Sequence, residues 1–394
     1  MLRVVQVVVV AVTKRILAFA GLLLMSQAVM LQAQAAVLPE DRADVMYHSY
    51  DGQNVEVTGP SVLVRKGLSQ NVSVFANYYV DNISSASIDV VTQGSQKAYK
   101  ETRREGSIGA DLLYEDTTFT VGISSSEEDD YSANTTWFGL TQEFFGGLST
   151  LSMGYARGAD KVRKNGDPTF EEEVDRRSYR LGLTQVISRN ALIGVTWETI
   201  TDQGFLNNPY RQYRYINPDP NGAETAFAFE KYPNTRTSNA ASVRGRYFLA
   251  PDSAVHGEYR YFSDDWDIRA HNIAFGYTRH LNSRWMAEAG YRYYTQTGAD
   301  FFSNLFEAED SQNFMGRDKE TSPFDNHTLR FGVTYKFMPD GWKFMNSGSL
   351  NFNYEFIRFS YDEYTDNSPG TTLATEELLE FNAHVFNIFA SFWF

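Results

Sequence analysis

Residues 386–394 read Phe-Asn-Ile-Phe-Ala-Ser-Phe-Trp-Phe, placing Phe386, Ile388, Ala390, Phe392 and Phe394 on one face of an extended chain, with Asn387 and Ser391 on the other. Side chains on a strand alternate between faces, so this stretch is a β-strand with one strongly apolar side. A soluble sandwich buries such a row and has little use for further aromatics pointing outward. A barrel wrapped in hydrocarbon displays the row on its outside.

The same alternation recurs upstream. Val72, Val74, Ala76, Tyr78 and Val80 form one such face; Ile108, Ala110, Leu112 and Tyr114 form another, as do Phe119, Val121 and Ile123, then Leu151, Met153 and Tyr155, then Tyr179, Leu181 and Leu183. Farther on, Leu329, Phe331, Val333, Tyr335 and Phe337 alternate with Arg330, Gly332, Thr334 and Lys336. Tyrosine and phenylalanine near strand ends suit an interfacial girdle. The apolar residues seldom run together, which excludes a polytopic helical membrane protein. The formal charge of -14 argues against a nucleic-acid partner, which would need a basic surface. With no cysteine, disulfides, thiolate metal sites and cysteine catalysis are all excluded.

Connections between the strands fall into two classes that take turns. Short ones lie at 115–116, 146–147, 188–190, 250–253 and 282–283, with 339–346 the longest; the others span 83–100, 162–172, 203–236, 299–324 and 362–375, with brief members near Asp129 and Asp265. This predicts an all-β fold: a transmembrane antiparallel up-and-down β-barrel with short periplasmic turns and long extracellular loops. From Asn71 onward about fourteen strands are expected, with sixteen as the alternative, because barrels of this kind carry an even number.

At the other end, Arg3, Lys14 and Arg15 precede an apolar stretch from Ile16 to Met25, and Ala33-Gln34-Ala35 offers a cleavage site. Residues 1–35 are therefore expected to be a signal peptide. Removing three cations takes the formal charge from -14 to -17. Residues 36–69 are expected to form a periplasmic or lumenal extension, and 70–394 the barrel. Stretch 62–66 could be a further strand, but one more would make the count odd. The predicted location is the outer membrane of a Gram-negative bacterium.

The inward row carries the candidate solute contacts: Arg244, Arg246, His256, Glu258, Arg260, Glu288, Arg292 and Arg330. Five arginines against two glutamates suit a cationic constriction for anionic solutes, while a ladder of ion pairs bracing the wall is the competing reading. In the loop 203–236, Tyr210, Arg211, Tyr213, Arg214 and Tyr215 interleave aromatic and guanidinium groups. They suit stacking on sugars or an acidic partner, or else fixing the loop across the barrel mouth. Phe301, Phe302, Leu305, Phe306 and Phe314 offer an apolar contact, or simply pack their loop. No G-x-S-x-G, H-E-x-x-H or P-loop accompanies the six histidines, so no catalytic, metal or cofactor site is expected.

Residues 38–67 (LPEDRADVMYHSYDGQNVEVTGPSVLVRKG), 77–92 (NYYVDNISSASIDVVT), 200–211 (ITDQGFLNNPYR), 256–266 (HGEYRYFSDDW) and 291–306 (YRYYTQTGADFFSNLF) together resemble the domain-of-unknown-function 3570 family of proteobacterial outer-membrane proteins. The resemblance implies fold and location and carries no activity. It also implies that residues 38–67 belong to the family unit. The functional expectation is a passive channel or transporter for small anionic or amphiphilic solutes. A non-transporting scaffold or sheath for an envelope partner is the alternative, and a lipid-modifying enzyme a third class. Expected partners are outer-membrane lipid and lipopolysaccharide, a small solute, and the barrel-assembly machinery through the strand ending at Phe394; nucleic acid is not expected.

Overall fold

The computed structural model describes residues 37–53, 55–85, 99–219, 222, 224–339, 341–367 and 372–394. The expected signal peptide lies outside them. The strands are β1 (Arg42–Gly52), β2 (Val55–Ser69), β3 (Val72–Ser85), β4 (Tyr99–Tyr114), β5 (Thr117–Glu127), β6 (Tyr131–Phe144), β7 (Ser149–Lys164), β8 (Asp167–Ser188) and β9 (Ala191–Gly204). After these come β10 (Gln212–Ile216), β11 (Thr225–Phe229), β12 (Thr235–Ala250), β13 (Ser253–Asp264), β14 (Arg269–His280), β15 (Trp285–Gln296), β16 (Phe324–Lys336), β17 (Ser347–Thr365) and β18 (Leu378–Trp393).

Sixteen of these strands close into one antiparallel barrel, each bonded to its neighbours in sequence, and β10 and β11 form a separate hairpin within the loop from β9 to β12. The seam is β18 against β1, running from Arg42 opposite Trp393 to Gly52 opposite Ala383. Closure leaves no edge, so every wall strand has a hydrogen-bonding neighbour on both sides. Asp41, just before β1, and Phe394, just after β18, also meet at the seam. Asp41 accepts from the Lys66 ammonium and the Gly67 amide, both at 2.5 Å, and its carbonyl accepts from the Phe394 amide at 3.2 Å. Those bonds, the one from Lys66 first, hold the Asp41 carboxyl below its usual range.

Fourteen wall strands follow Asn71, and the other two come from the segment read as an extension. Residues 36–69 are thus not an appendage: β1 and β2 are wall strands, and stretch 62–66 lies within β2. Their alternation is less obvious because the inward face of β1 is mixed, with His48 and Tyr50 both buried. Loop 162–172 also differs from expectation. Here β7 and β8 continue as a ladder to a turn at Asn165 and Gly166, where Gly166 takes φ +87°. At the opposite rim, Gly146 and Gly147 at φ +66° and +82° make the turn from β6 to β7, a backbone conformation open to glycine at little cost.

The outward face is apolar as expected. Val121, Ile123, Phe138, Met153, Leu181, Val195, Phe275, Phe331 and Ile388 are all exposed, while the inward face carries most of the wall's charge. Phe331 sits mid-strand on β16 and is 50% exposed. In bilayers, Phe331→Arg should lower unfolding stability by about 2–4 kcal/mol. Arginine at the lumenal Asn353 should cost far less in the same denaturant titration. Deleting residues 36–69 should abolish the heat-modifiable gel shift of the folded barrel, because β18 and β3 would then be open edges.

Candidate functional site: the lumenal wall and the mouth

Register places the predicted lumenal residues on one wall. At one level Arg244 faces Glu258, which is followed round the barrel by Ala274, Arg292 and Thr328; at the next, Arg246 faces His256, followed by Gly276, Gly290, Arg330 and Glu355. The glycines are part of the arrangement. A Cβ at Gly276 would come within 2.2 Å of the His256 ring, so the imidazole lies flat over bare backbone.

Both readings of the arginine row have support in the geometry. Arg244 pairs with Glu258 at 3.1 Å, Arg260 with Glu198 at 2.9 Å and Arg330 with Glu355 at 2.7 Å. Arg292 instead donates to the Thr328 hydroxyl at 3.0 Å, and Arg246 makes no ion pair among the described residues. The ladder braces the wall, and among the described residues Arg246 and Arg292 stand outside its contact ion pairs. Glu288 lies on the same face, with the Thr278 hydroxyl at 3.4 Å.

Sequence reasoning missed the opposite wall. Strands β4 and β14 stand eight places apart in the ring of sixteen, which is directly across the lumen. On the β4 side, the fully buried Asp81 pairs with Arg103 at 2.8 Å and with His48 Nε2 at 2.7 Å. Asp111 accepts from Arg65 and from the Thr120 hydroxyl at 2.7 Å, and Glu105 shares the inward face with Tyr79, its register partner. The signal was present in the polar positions of β3 and β4, but it could not be read while β1 and β2 were placed outside the wall.

Tyr210, Arg211, Tyr213, Arg214 and Tyr215 are all buried, between 0% and 9% exposed, so they are not offered to sugars or to a partner. Their other reading, fixing the loop across the mouth, accounts for the geometry. Arg211 pairs with Asp318, and Arg214 grips Glu376 with both guanidinium nitrogens, the second at 2.8 Å. The Tyr213 hydroxyl donates to Asp310 at 3.1 Å, and the Tyr215 hydroxyl to Glu309 at 3.1 Å. Tyr210 accepts from the Asn165 amide on the β7–β8 turn at 2.5 Å, while its ring shares a core with Tyr50, Val57 and Ile83 of β1–β3. A loop that leaves the wall at β9 and reaches β1–β3 has crossed the mouth. Phe301 and Phe306 are buried beneath it, in cores with Trp266 and with Tyr213 respectively, and Phe314 stays exposed.

Near Tyr210, Glu101, Glu128 and Asp130 bring carboxylate oxygens within 4.8 Å of one another, the one grouping among the described residues with the geometry to hold a cation. Three other histidines face outward on neighbouring hairpins. The hydroxyls of Tyr259, Tyr291 and Tyr354 bond the Nδ1 atoms of His271, His327 and His384 at 2.8, 2.7 and 2.9 Å.

Comparison with known proteins gives a family and a fold. The model of a family described as a protein of unknown function, DUF3570, matches residues 89–378. No curated protein matches the sequence. Among solved structures, a bacterial polysaccharide outer membrane secretin aligns with 91% of this chain and 100% of its own at 9% identity and TM-score 0.50, which shows the barrel fold alone. OmpT of Vibrio cholerae covers 91% of this chain and 100% of its own at 12% identity and TM-score 0.42. A Pseudomonas aeruginosa FadL homologue covers 91% of each chain at 9% identity and TM-score 0.43.

The strap at the mouth depends on the Arg214–Glu376 pair. Burial pushes the Glu376 carboxyl up, but hydrogen bonds from Arg214 and Thr365 outweigh it and hold the group below the usual glutamate range. A lowered folded-state value contributes stability above the unfolded glutamate pKa of about 4.3, and that stability is lost as pH falls through the lowered value. Glu376→Gln leaves a buried guanidinium unpaired, at a cost of about 3–5 kcal/mol. Tryptic cleavage within 205–234 should therefore accelerate strongly in that variant at neutral pH. Glu380→Gln, which removes an exposed partner of Arg358, should leave the cleavage rate unchanged.

Proposed function

The chain belongs to the DUF3570 family of proteins of unknown function, and on that premise we propose that it is an integral outer-membrane barrel passing small anionic solutes by passive permeation. The observation that carries this reading is the uneven pairing of charge round the lumen. Arg246 and Arg292 make no ion pair among the described residues on one wall, whereas across from them Asp81 is paired with Arg103 and His48, and Asp111 with Arg65. Guanidiniums that no carboxylate neutralises at contact distance lower the barrier for an anion moving along that wall. The strap at the mouth then limits entry by size.

Its outward apolar face suits outer-membrane lipid and lipopolysaccharide as surroundings. The last strand, with Phe386 and Ile388 outward and Phe394 at its end, suits recognition by the barrel-assembly machinery. No catalytic role is proposed. One observation favours a second reading: the buried ion pairs of the strap suit a barrel that does not conduct and serves as a scaffold for an envelope partner.

Conductance across a planar bilayer separates the two. A conducting barrel should show discrete steps, with a reversal potential in a KCl gradient that favours chloride; Arg246→Glu with Arg292→Glu should move that potential toward potassium. Silence from protein that is folded and inserted would replace the channel with the scaffold.

A further inference from the structure

The outward face of β7 and β8 carries an electrostatic cost that the barrel alone does not explain. Arg157 and Arg177 are directly opposite each other in the antiparallel ladder, and like charges in that position repel. They share one carboxylate: Asp175 lies 2.7 Å from Arg157 and 3.0 Å from Arg177. Their side chains are 55% and 47% exposed, so a guanidinium pair with one net positive charge faces outward.

The level at which this pair stands is set by register. One step toward the middle of the wall, Tyr155 faces Tyr179 with ring centroids 5.2 Å apart, and below them Met153 faces Leu181. Thr136 and Thr201 flank the arginines on β6 and β9. Hydrocarbon row, tyrosine row and guanidinium row thus follow one another over five residues of strand, 153–157. Tyrosines of an interfacial belt mark the headgroup boundary, so the arginines stand at headgroup level on the rim of long loops.

We propose that Arg157 and Arg177 form a docking site for a phosphate group of the outer-leaflet lipopolysaccharide. Paired guanidiniums are suited to bidentate binding of a phosphate, whose charge removes the repulsion between them, and the tyrosine pair packs against the acyl-chain end of the same lipid. This inference rests on the outer-membrane reading above.

The test uses the full chain refolded in phosphatidylglycerol bilayers, titrated with bisphosphorylated lipid A and with dephosphorylated lipid A. Native mass spectrometry reads bound lipid, and the heat-modifiable gel shift reads insertion. The protein should bind the bisphosphorylated form about tenfold more tightly, a preference of about 1.4 kcal/mol. Arg157→Gln with Arg177→Gln should remove that preference. Asp175→Asn, which removes the shared carboxylate, should enlarge it. Arg269→Gln, at an outward guanidinium on β14 that has its own carboxylate in Asp267, should leave it unchanged. Inserted protein that binds both lipids equally, or a double variant that keeps the preference, would overturn the site while leaving the membrane reading intact. Failure to insert at all would overturn both.

Discussion

A backbone amide or carbonyl left unpaired in a medium without water costs several kcal/mol, and a sheet with two open edges presents a whole row of each. Closure is therefore the constraint on which the rest of this structure depends. It is met at the β18–β1 seam, where Asp41 also bonds Lys66 and the Phe394 amide. Once the sheet is closed, strict alternation sorts the side chains: Phe275, Phe331 and Ile388 outward, Arg244, Glu258 and Arg330 inward.

The charges inside follow from the same closure. A guanidinium on the lumenal face is partly shielded from water, so most find carboxylates on the next strand or the one beyond it, as Arg103 finds Asp81 and Arg260 reaches past β12 to Glu198. Where no carboxylate lies at contact distance, as at Arg292, the guanidinium donates to a hydroxyl instead, that of Thr328. Glycines at 276 and 290 on the same level leave room for the long side chains of the row. The strap uses paired charges differently. Arg211 and Arg214 hold loop to loop across the mouth, and at the buried Arg214 breaking the pair would strand a charge.

How much could be read from sequence depended on how much of each feature was local. Alternation in β3–β9 and β12–β18 is local, and so were the fold class and the turns at 115–116 and 146–147. The eight residues of the arginine wall were legible because parity along each strand fixes their face. Strands β1 and β2 were not recognised, since His48 and Tyr50 interrupt the simple contrast and the strand that closes the wall against β1 lies at the far end of the sequence, β18. The burial of Tyr213 and Arg214 was equally hidden. Their partners Asp310 and Glu376 sit in other loops, and spacing within 203–236 carries no information about them.

The seam can be tested directly, because the chain contains no cysteine. Val45 on β1 is the register partner of Ala390 on β18, and both side chains lie on the outward face. A Val45→Cys, Ala390→Cys double variant, refolded in lipid and oxidised gently, is predicted to form an intramolecular disulfide. That bond should be visible as faster migration of the heat-denatured, unreduced chain. Two free thiols that persist in a fully folded barrel would contradict a wall closed by β1.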